Sequence, residues 1–416
     1  MNDALPASPA LLPAGLHDKL PPEAEAEARS VAAVLEVFAG YGYQLIEAPL
    51  LEFEDSLFAG SGQELADQAF RVMDPHSHRM MALRADITPQ VARIATTRLG
   101  RAPRPLRLSY AGACLRVAAA QISPERQVSQ AGIELIGPDS PEADAEVIAL
   151  CAEALGTIGL SRVSFDLTMP RLAAGLIEGS DLAAADRLKV ARALDRKDAA
   201  EVRAHAGALA PVLESLLLSA GRPDRALGAL AAASLPPGVA ELADRLAATV
   251  AAVDRRSPGL TLTVDPVESR GFRYHTGACV TVFAPGRHEE LGRGGRYLCG
   301  GEPATGVTLY SDAVLRAAPV RAARPVVFVP AGTEAPASQA LRDQGMATVM
   351  GLEAVADAAA EARRLGCGFV LENGTMRQLD SGAQKQAMPD RAMPDRAMPD
   401  RAMPDWAMPG RSGTGR

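Results

Sequence analysis

Asp86 and Thr88 sit in LRADITPQ, where a short apolar run meets a helical one. Arg116 closes the strand-like run RPLRLSYAGACLRVA. Gln130 and Glu134 are four apart in QVSQAGIELIG. A strand puts alternate residues on one face, so these two share a side with Gly132, while Ser129, Ala131, Ile133 and Leu135 take the other. Arg270 and His275 bracket the turn in ESRGFRYHTG. Each residue alone is ordinary, since an Arg or Glu in a strand is usually solvated or paired structurally. Brought together, they offer carboxylates to an ammonium, arginines to a carboxylate and Glu134 to a ring N–H. That set suits a zwitterionic amino acid with a polar side chain.

A second stretch raises a different chemistry. Residues 292–312, GRGGRYLCGGEPATGVTLYSD, carry five glycines in the first ten positions. Such a backbone lets something come close, and the floor of a nucleotide pocket is one reading. A triphosphate needs concentrated positive charge. Yet no basic residue falls between Gly306 and Arg316.

The elements that must position these groups read as α+β with mostly antiparallel strands. PPEAEAEARSVAAVLEVFAGYG is a helix, with acidic residues at its positive end and Val31, Val34, Leu35 and Phe38 on one stripe. Gly40 or Gly42 can end it. YQLIEAPLLEFED is a strand broken at Pro49, which places it at an edge or interface because proline cannot donate to a ladder. Short strands follow at 79–83, 104–118 and 127–137, with helices at 86–99 and 141–157. Residues 170–255 are rich in alanine and leucine and read as a helical insertion. Residues 1–169 and 256–318 then form one core, and 323–380 a small βαβαβ unit with helices at 334–344 and 353–365. From 384 to 416 the unit AMPDR repeats with proline at every turn and no apolar period, which predicts disorder.

Composition narrows the classes. The 416 residues carry a net charge of −7, against a dedicated nucleic-acid partner. Five scattered cysteines without metal spacing point to buried, reduced thiols in a cytoplasm and to no metal site. No run approaches the roughly 20 apolar residues of a membrane helix.

The order of these segments resembles the catalytic core of class II aminoacyl-tRNA synthetases, and the histidyl enzyme in particular. GYQLIEAPLLE resembles the first class II motif, a dimer-forming helix and strand. LRADITPQVAR is similar to the segment that holds the amino group, and LSYAGACLR with RQVSQAGIELIG to the second motif. SRGFRYHTG resembles the RGLDYYTG signature, and GRGGRY the GGRYDGL segment. The matches run in order over roughly residues 10–315. The resemblance implies a class II synthetase-like antiparallel sheet flanked by helices. The unit at 323–380 resembles, more weakly, a truncated anticodon-binding domain.

Two departures bear on activity. The third motif of the active synthetases ends in GLER, whose arginine grips the nucleotide; here Asp312 and Ala313 stand at those positions in GVTLYSDAVL. Between Arg116 and Arg126 the second motif reads VAAAQISPE, without the family's basic and aromatic ATP contacts. ATP activation is therefore expected to be lost, leaving no catalytic residue and no cofactor. LRADITPQ resembles the LRPDMTPQ-type segment of the regulatory-subunit family of ATP phosphoribosyltransferase more than it resembles LRPEGT; that family consists of synthetase paralogues that serve the first step of histidine biosynthesis. That resemblance implies the short-form catalytic subunit as partner, a hetero-octamer of four plus four chains, a self-dimer through the class II core, and histidine as feedback effector. By the same resemblance Asp86, Thr88 and Gln130 hold the amino group, Arg116 and Arg270 stand near the carboxylate, and Glu134 reads the imidazole opposite Tyr274 and His275. The synthetases have Tyr where this chain has His275; a His charged near pH 6.5 would repel a protonated ligand. An active histidyl-tRNA synthetase and a histidine-binding paralogue with another partner are the alternatives.

Overall fold

The computed structural model describes residues 11–118, 125–268, 274–319 and 324–380. Arg270, most of the second-motif loop and the AMPDR segment lie outside these residues. The chain divides into two units, residues 1–321 and 322–416.

The first unit opens with the helix Glu23–Gly40. Glu23 and Glu25 stand in its first turn, and Val34 and Phe38 are buried. Gly42 ends it in the left-handed region at φ 79°. Its N–H and that of Tyr43 donate to the Ala39 and Phe38 carbonyls, satisfying the last turn.

The strands of this unit are β1 (Gln44–Leu45), β2 (Leu51–Phe53), β3 (Arg71–Met73), β4 (Met80–Leu83), β5 (Leu106–Leu115), β6 (Gln127–Ile136), β7 (Ser164–Thr168), β8 (Thr261–Asp265), β9 (Cys279–Phe283), β10 (Glu290–Cys299) and β11 (Glu302–Tyr310). Eight of them form one sheet in the order β1-β5-β6-β11-β10-β9-β7-β8. Its six middle strands are antiparallel. β1 and β8 join the ends in parallel. Pro49 does break its strand: β1 ends the large sheet, and β2 borders a separate three-stranded sheet in the order β2-β4-β3.

Strand alternation gives the large sheet two different faces. On one, Ala131, Ile133, Leu135, Val307 and Leu309 join an apolar cluster with Val34 and Phe38 and with the helices Pro141–Thr157 and Pro237–Arg256. Six α-helices lie between Pro170 and Arg256. Their buried residues, among them Leu172, Leu194, Leu216 and Leu246, belong to that same cluster, so this segment shares the core of the sheet. On the other face Leu108, Tyr110 and Tyr297 pack with Ile87 and with Val91 and Ala95 of the helix that follows it, Thr88–Thr96. This second face carries the site. All five cysteines are buried and unbridged.

The second unit holds β12 (Val326–Val329), β13 (Ala347–Met350), β14 (Phe369–Glu372) and β15 (Thr375–Gln378) in the order β13-β12-β14-β15. The helices Ala335–Asp343 and Ala358–Arg364 connect the three parallel strands. The second helix is shorter than its predicted span. Asp357 caps it by accepting from the Ala360 N–H at 2.9 Å. The sequence reading also stopped one strand early. Asn373 and Gly374 take φ of 49° and 75°, a two-residue hairpin turn that sends β15 back along β14.

Candidate functional site

The register across four strands assembles the site. Tyr110 of β5 pairs with Gly132 of β6, and Gly132 with Thr308 of β11. Thr308 pairs in turn with Arg293 of β10. One step along, Glu134 faces Gly306, and Gly306 faces Gly295. Because alternate residues share a face, Gln130, Gly132 and Glu134 all point away from the helical core.

The glycines make room for neighbouring protein groups. A Cβ on Gly306 would lie 2.0 Å from Glu134 Oε2, and one on Gly132 2.5 Å from the Tyr110 hydroxyl. The backbone thus comes close to recognition side chains, which replaces the reading of a bare nucleotide floor.

A cavity opens on this face, lined by Asp86, Thr88, Glu134, Tyr274, His275 and Arg293, with Tyr297, Thr308 and Tyr310 beside them. Asp86 sits between β4 and the helix Thr88–Thr96, where its Oδ1 accepts the Thr88 N–H at 2.9 Å. Its Oδ2 accepts from Gln130 Nε2 at 2.8 Å, while Gln130 Oε1 takes the Ile87 N–H at 3.1 Å. Gln130 therefore clamps the Asp86 turn onto β6 and is not itself a lining residue.

Glu134 is 1% exposed. The Tyr297 hydroxyl donates to its Oε2 at 3.0 Å. Burial pushes its carboxyl up to about 8, against hydrogen bonds from Tyr297, Thr88 and Tyr110 that favour the ionised form. At neutral pH it holds its proton. Tyr110 sits at the centre of a hydroxyl chain, 2.7 Å from Thr308 Oγ1 and 3.3 Å from Thr88 Oγ1.

His275 corrects an expectation. Burial, with the Arg293 guanidinium nearby, lowers its pKa to about 3, so it is neutral at pH 6.5 and repels no cation. Its ring stacks on Tyr274 with centroids 4.0 Å apart. Arg116 also differs from its expected place. It follows directly on β5, its Nε donates to the Ala85 carbonyl at 3.4 Å, and it is not a lining residue. Of the predicted set, Asp86, Thr88, Glu134, Tyr274 and His275 line the cavity, and Gln130 supports them.

Sequence reasoning missed Arg293, Tyr297, Thr308 and Tyr310. GRGGRY and GVTLY had been noticed, but for their glycines. Counting by twos from Gly295 places Arg293 and Tyr297 on its face, and the same count from Gly306 places Thr308 and Tyr310.

Residues 312 and 313 are engaged by the protein itself. Ala313 is 3% exposed and packs in the main core cluster. Asp312 accepts the Ser129 N–H at 3.0 Å and pairs with Lys19, which also meets Glu27 at 2.6 Å. Arg316 pairs with Glu125 and Glu289. Among the described residues no group of three His, Cys, Asp or Glu side chains could hold a metal. Among the same residues no helix is long and apolar enough to cross a membrane.

This sheet and cavity define a class II synthetase-like core of the histidyl type, and residues 15–314 match the histidyl-tRNA synthetase family. Two solved structures share the fold. One, from Bacillus halodurans, is described as an ATP phosphoribosyltransferase regulatory subunit/histidyl-tRNA synthetase. It has a TM-score of 0.73 and 23% identity, covering 87% of this chain and 97% of that one. The other, a histidyl-tRNA synthetase from a Nostoc species, has a TM-score of 0.72 and 18% identity over 87% and 91%. The ATP phosphoribosyltransferase regulatory subunit of Gluconobacter oxydans is 57% identical over 372 residues, 89% of this chain and 98% of that one. The protein of that name in Paramagnetospirillum magneticum is 54% identical over 364 residues, 87% and 96% of the two chains. The chain belongs to the ATP phosphoribosyltransferase regulatory subunit family, whose members are named for a regulatory rather than a catalytic role.

Proposed function

We propose that this chain binds histidine in the cavity on the second sheet face and regulates the catalytic subunit of ATP phosphoribosyltransferase without activating histidine itself. The observation that carries this is the contrast between two halves of one site. The cavity keeps two carboxyl groups, Asp86 and Glu134, beside aromatic rings and an arginine. The position of the nucleotide-gripping arginine holds a buried Ala313, and Asp312 next to it is occupied by Lys19 and Ser129. Asp86 and Thr88 would take the ammonium, Glu134 the imidazole N–H, and Tyr274 and His275 the ring faces. Gln130 would hold Asp86 in place, and Arg116 and Arg270 would add positive potential near the carboxylate. The family resemblance supports a short-form catalytic partner, a four-plus-four hetero-octamer, a dimer through the class II core and a cytoplasmic setting. The domain division follows the same resemblance: a core of 1–169 and 256–318, a helical insertion at 170–255 and a small unit at 323–380.

Reconstitution tests this reading. The chain alone should catalyse no histidine-dependent pyrophosphate exchange. Mixed with the short-form catalytic subunit, it should support condensation of ATP with phosphoribosyl pyrophosphate, and histidine should inhibit that reaction. Exchange at about 1 s⁻¹ or faster, an ordinary enzymatic rate, would favour an active synthetase. Failure to support the condensation would leave a binding protein with another partner.

The raised pKa of Glu134 gives the pocket a pH signature. Between about 6.5, where a free imidazole loses its proton, and the value of about 8 for Glu134, the cavity brings one proton and the ligand ring none. The bound pair shares that single proton, so affinity should be flat across this window. Below it the ligand must shed a proton, and affinity falls with decreasing pH. Above it the pair must take one up, and affinity falls with increasing pH. Glu134→Gln should bind roughly 10-fold to 100-fold more weakly, from loss of a charge-assisted bond of about 1.5–3 kcal/mol, and should lose the upper limb. Calorimetry from pH 5.5 to 9 on both proteins checks the shape.

A further inference from the structure

Arg293 is the one lysine or arginine among the described residues that line the cavity. An irregularity just before it in β10 brings it a partner. The pairing of β10 with β9 slips between Glu290 and Gly292, so two residues of β10 oppose one of β9. In a regular strand, residues three apart point to opposite faces. The extra residue, Leu291, brings Glu290 and Arg293 to the same face, and bulges of this kind re-aim side chains next to functional sites. Glu290 Oε2 then accepts from Arg293 Nε at 3.0 Å and also from Nη2. Held along one edge, the guanidinium has its plane set by the protein, leaving less freedom to lose when it meets a ligand.

We propose that Arg293 is the specificity determinant for the ligand's carboxylate, so that the site accepts an imidazole-bearing amino acid and rejects the corresponding amine. This rests on the histidine-binding reading above. The charge pattern favours it. Asp86 and Glu134 provide for an ammonium and a ring N–H, and a carboxylate in the same cavity requires a cation on its wall. Arg116 donates instead to the Ala85 carbonyl and lines no part of the cavity. Thr308, the register partner of Arg293, and Tyr310 stand beside it as hydroxyl-bearing neighbours. His275, kept neutral, adds no second positive charge to that wall.

Histamine, which keeps the ring and the ammonium but has no carboxylate, is the discriminating probe. Calorimetry on the full chain should show histidine binding at least about tenfold tighter than histamine. Arg293→Gln should weaken histidine about 10-fold to 100-fold, as expected for loss of a charged hydrogen-bonded pair, and leave histamine within about twofold. Should that variant fail to fold, Arg293→Lys carries the same readout. An ammonium cannot make the two-pronged contact of a guanidinium, so the histidine-to-histamine ratio should drop severalfold. An unchanged ratio in either variant overturns the proposal, as does equal weakening of both ligands, which would mark a purely structural wall residue. If the wild-type chain binds no histidine, the underlying reading fails, and this role with it.

Discussion

Gly306→Ala should abolish histidine binding and destabilise the first unit together. The added methyl would lie 2.0 Å from Glu134 Oε2 and 2.6 Å from the Ile133 carbonyl oxygen. The carboxylate can swing away, but the carbonyl belongs to the paired backbone of β6 and cannot move without loosening the ladder. Overpacking of this sort costs about 1–3 kcal/mol. Once Glu134 leaves, it loses the Tyr297 hydroxyl at 3.0 Å and its place in the cavity. Affinity should fall by at least about a hundredfold, some 2.8 kcal/mol. In a Glu134→Ala background the same change should cost less stability, because the nearer of the two clashes is gone. Urea unfolding and calorimetry read both effects, and near-wild-type affinity in Gly306→Ala would show that Glu134 need not occupy its observed position.

Asp144→Ala should be the most destabilising single change outside the apolar core. Arg296 and Asp144 are each 3% exposed. The guanidinium donates to both carboxylate oxygens, at 2.8 Å and 3.2 Å, and to the Pro138 and Ser140 carbonyls. This pair fastens the start of the helix Pro141–Thr157 to the middle of β10, next to Gly295 and Tyr297. Burial pushes the Asp144 carboxyl up and Arg296 opposes it. Removing the carboxylate leaves a buried cation without its counter-charge, at a cost of about 3–5 kcal/mol. The double variant Asp144→Ala, Arg296→Met removes that charge too and should recover much of the loss. A cost below about 1 kcal/mol for the single variant would mean that water or Asp139, 3.3 Å from the guanidinium, takes over.

Much of this was legible in the sequence because it rests on local periodicity. The alternation in QVSQAGIELIG placed Gln130 and Glu134 on one face, and the structure puts that face opposite the helical core. Pro49 marked the split between β1 and β2 through its missing N–H. What stayed hidden depended on pairing or environment. Arg293 falls on the cavity face by simple alternation, but its partner Glu290 reaches that face through a bulge defined by the neighbouring strand, which no count along β10 alone reveals. His275 looked like a group that charges near pH 6.5, but its neutrality comes from burial and a guanidinium contributed by β10. The last hairpin was the exception: Asn373-Gly374 is a local signal, and it was passed over.

The two faces of β6 separate the constraints on this strand by parity. Odd positions 131, 133 and 135 hold the fold together, and even positions 130, 132 and 134 hold the cavity. Changing every second residue would therefore remake the lining of the cavity while the foundation beneath it stays in place.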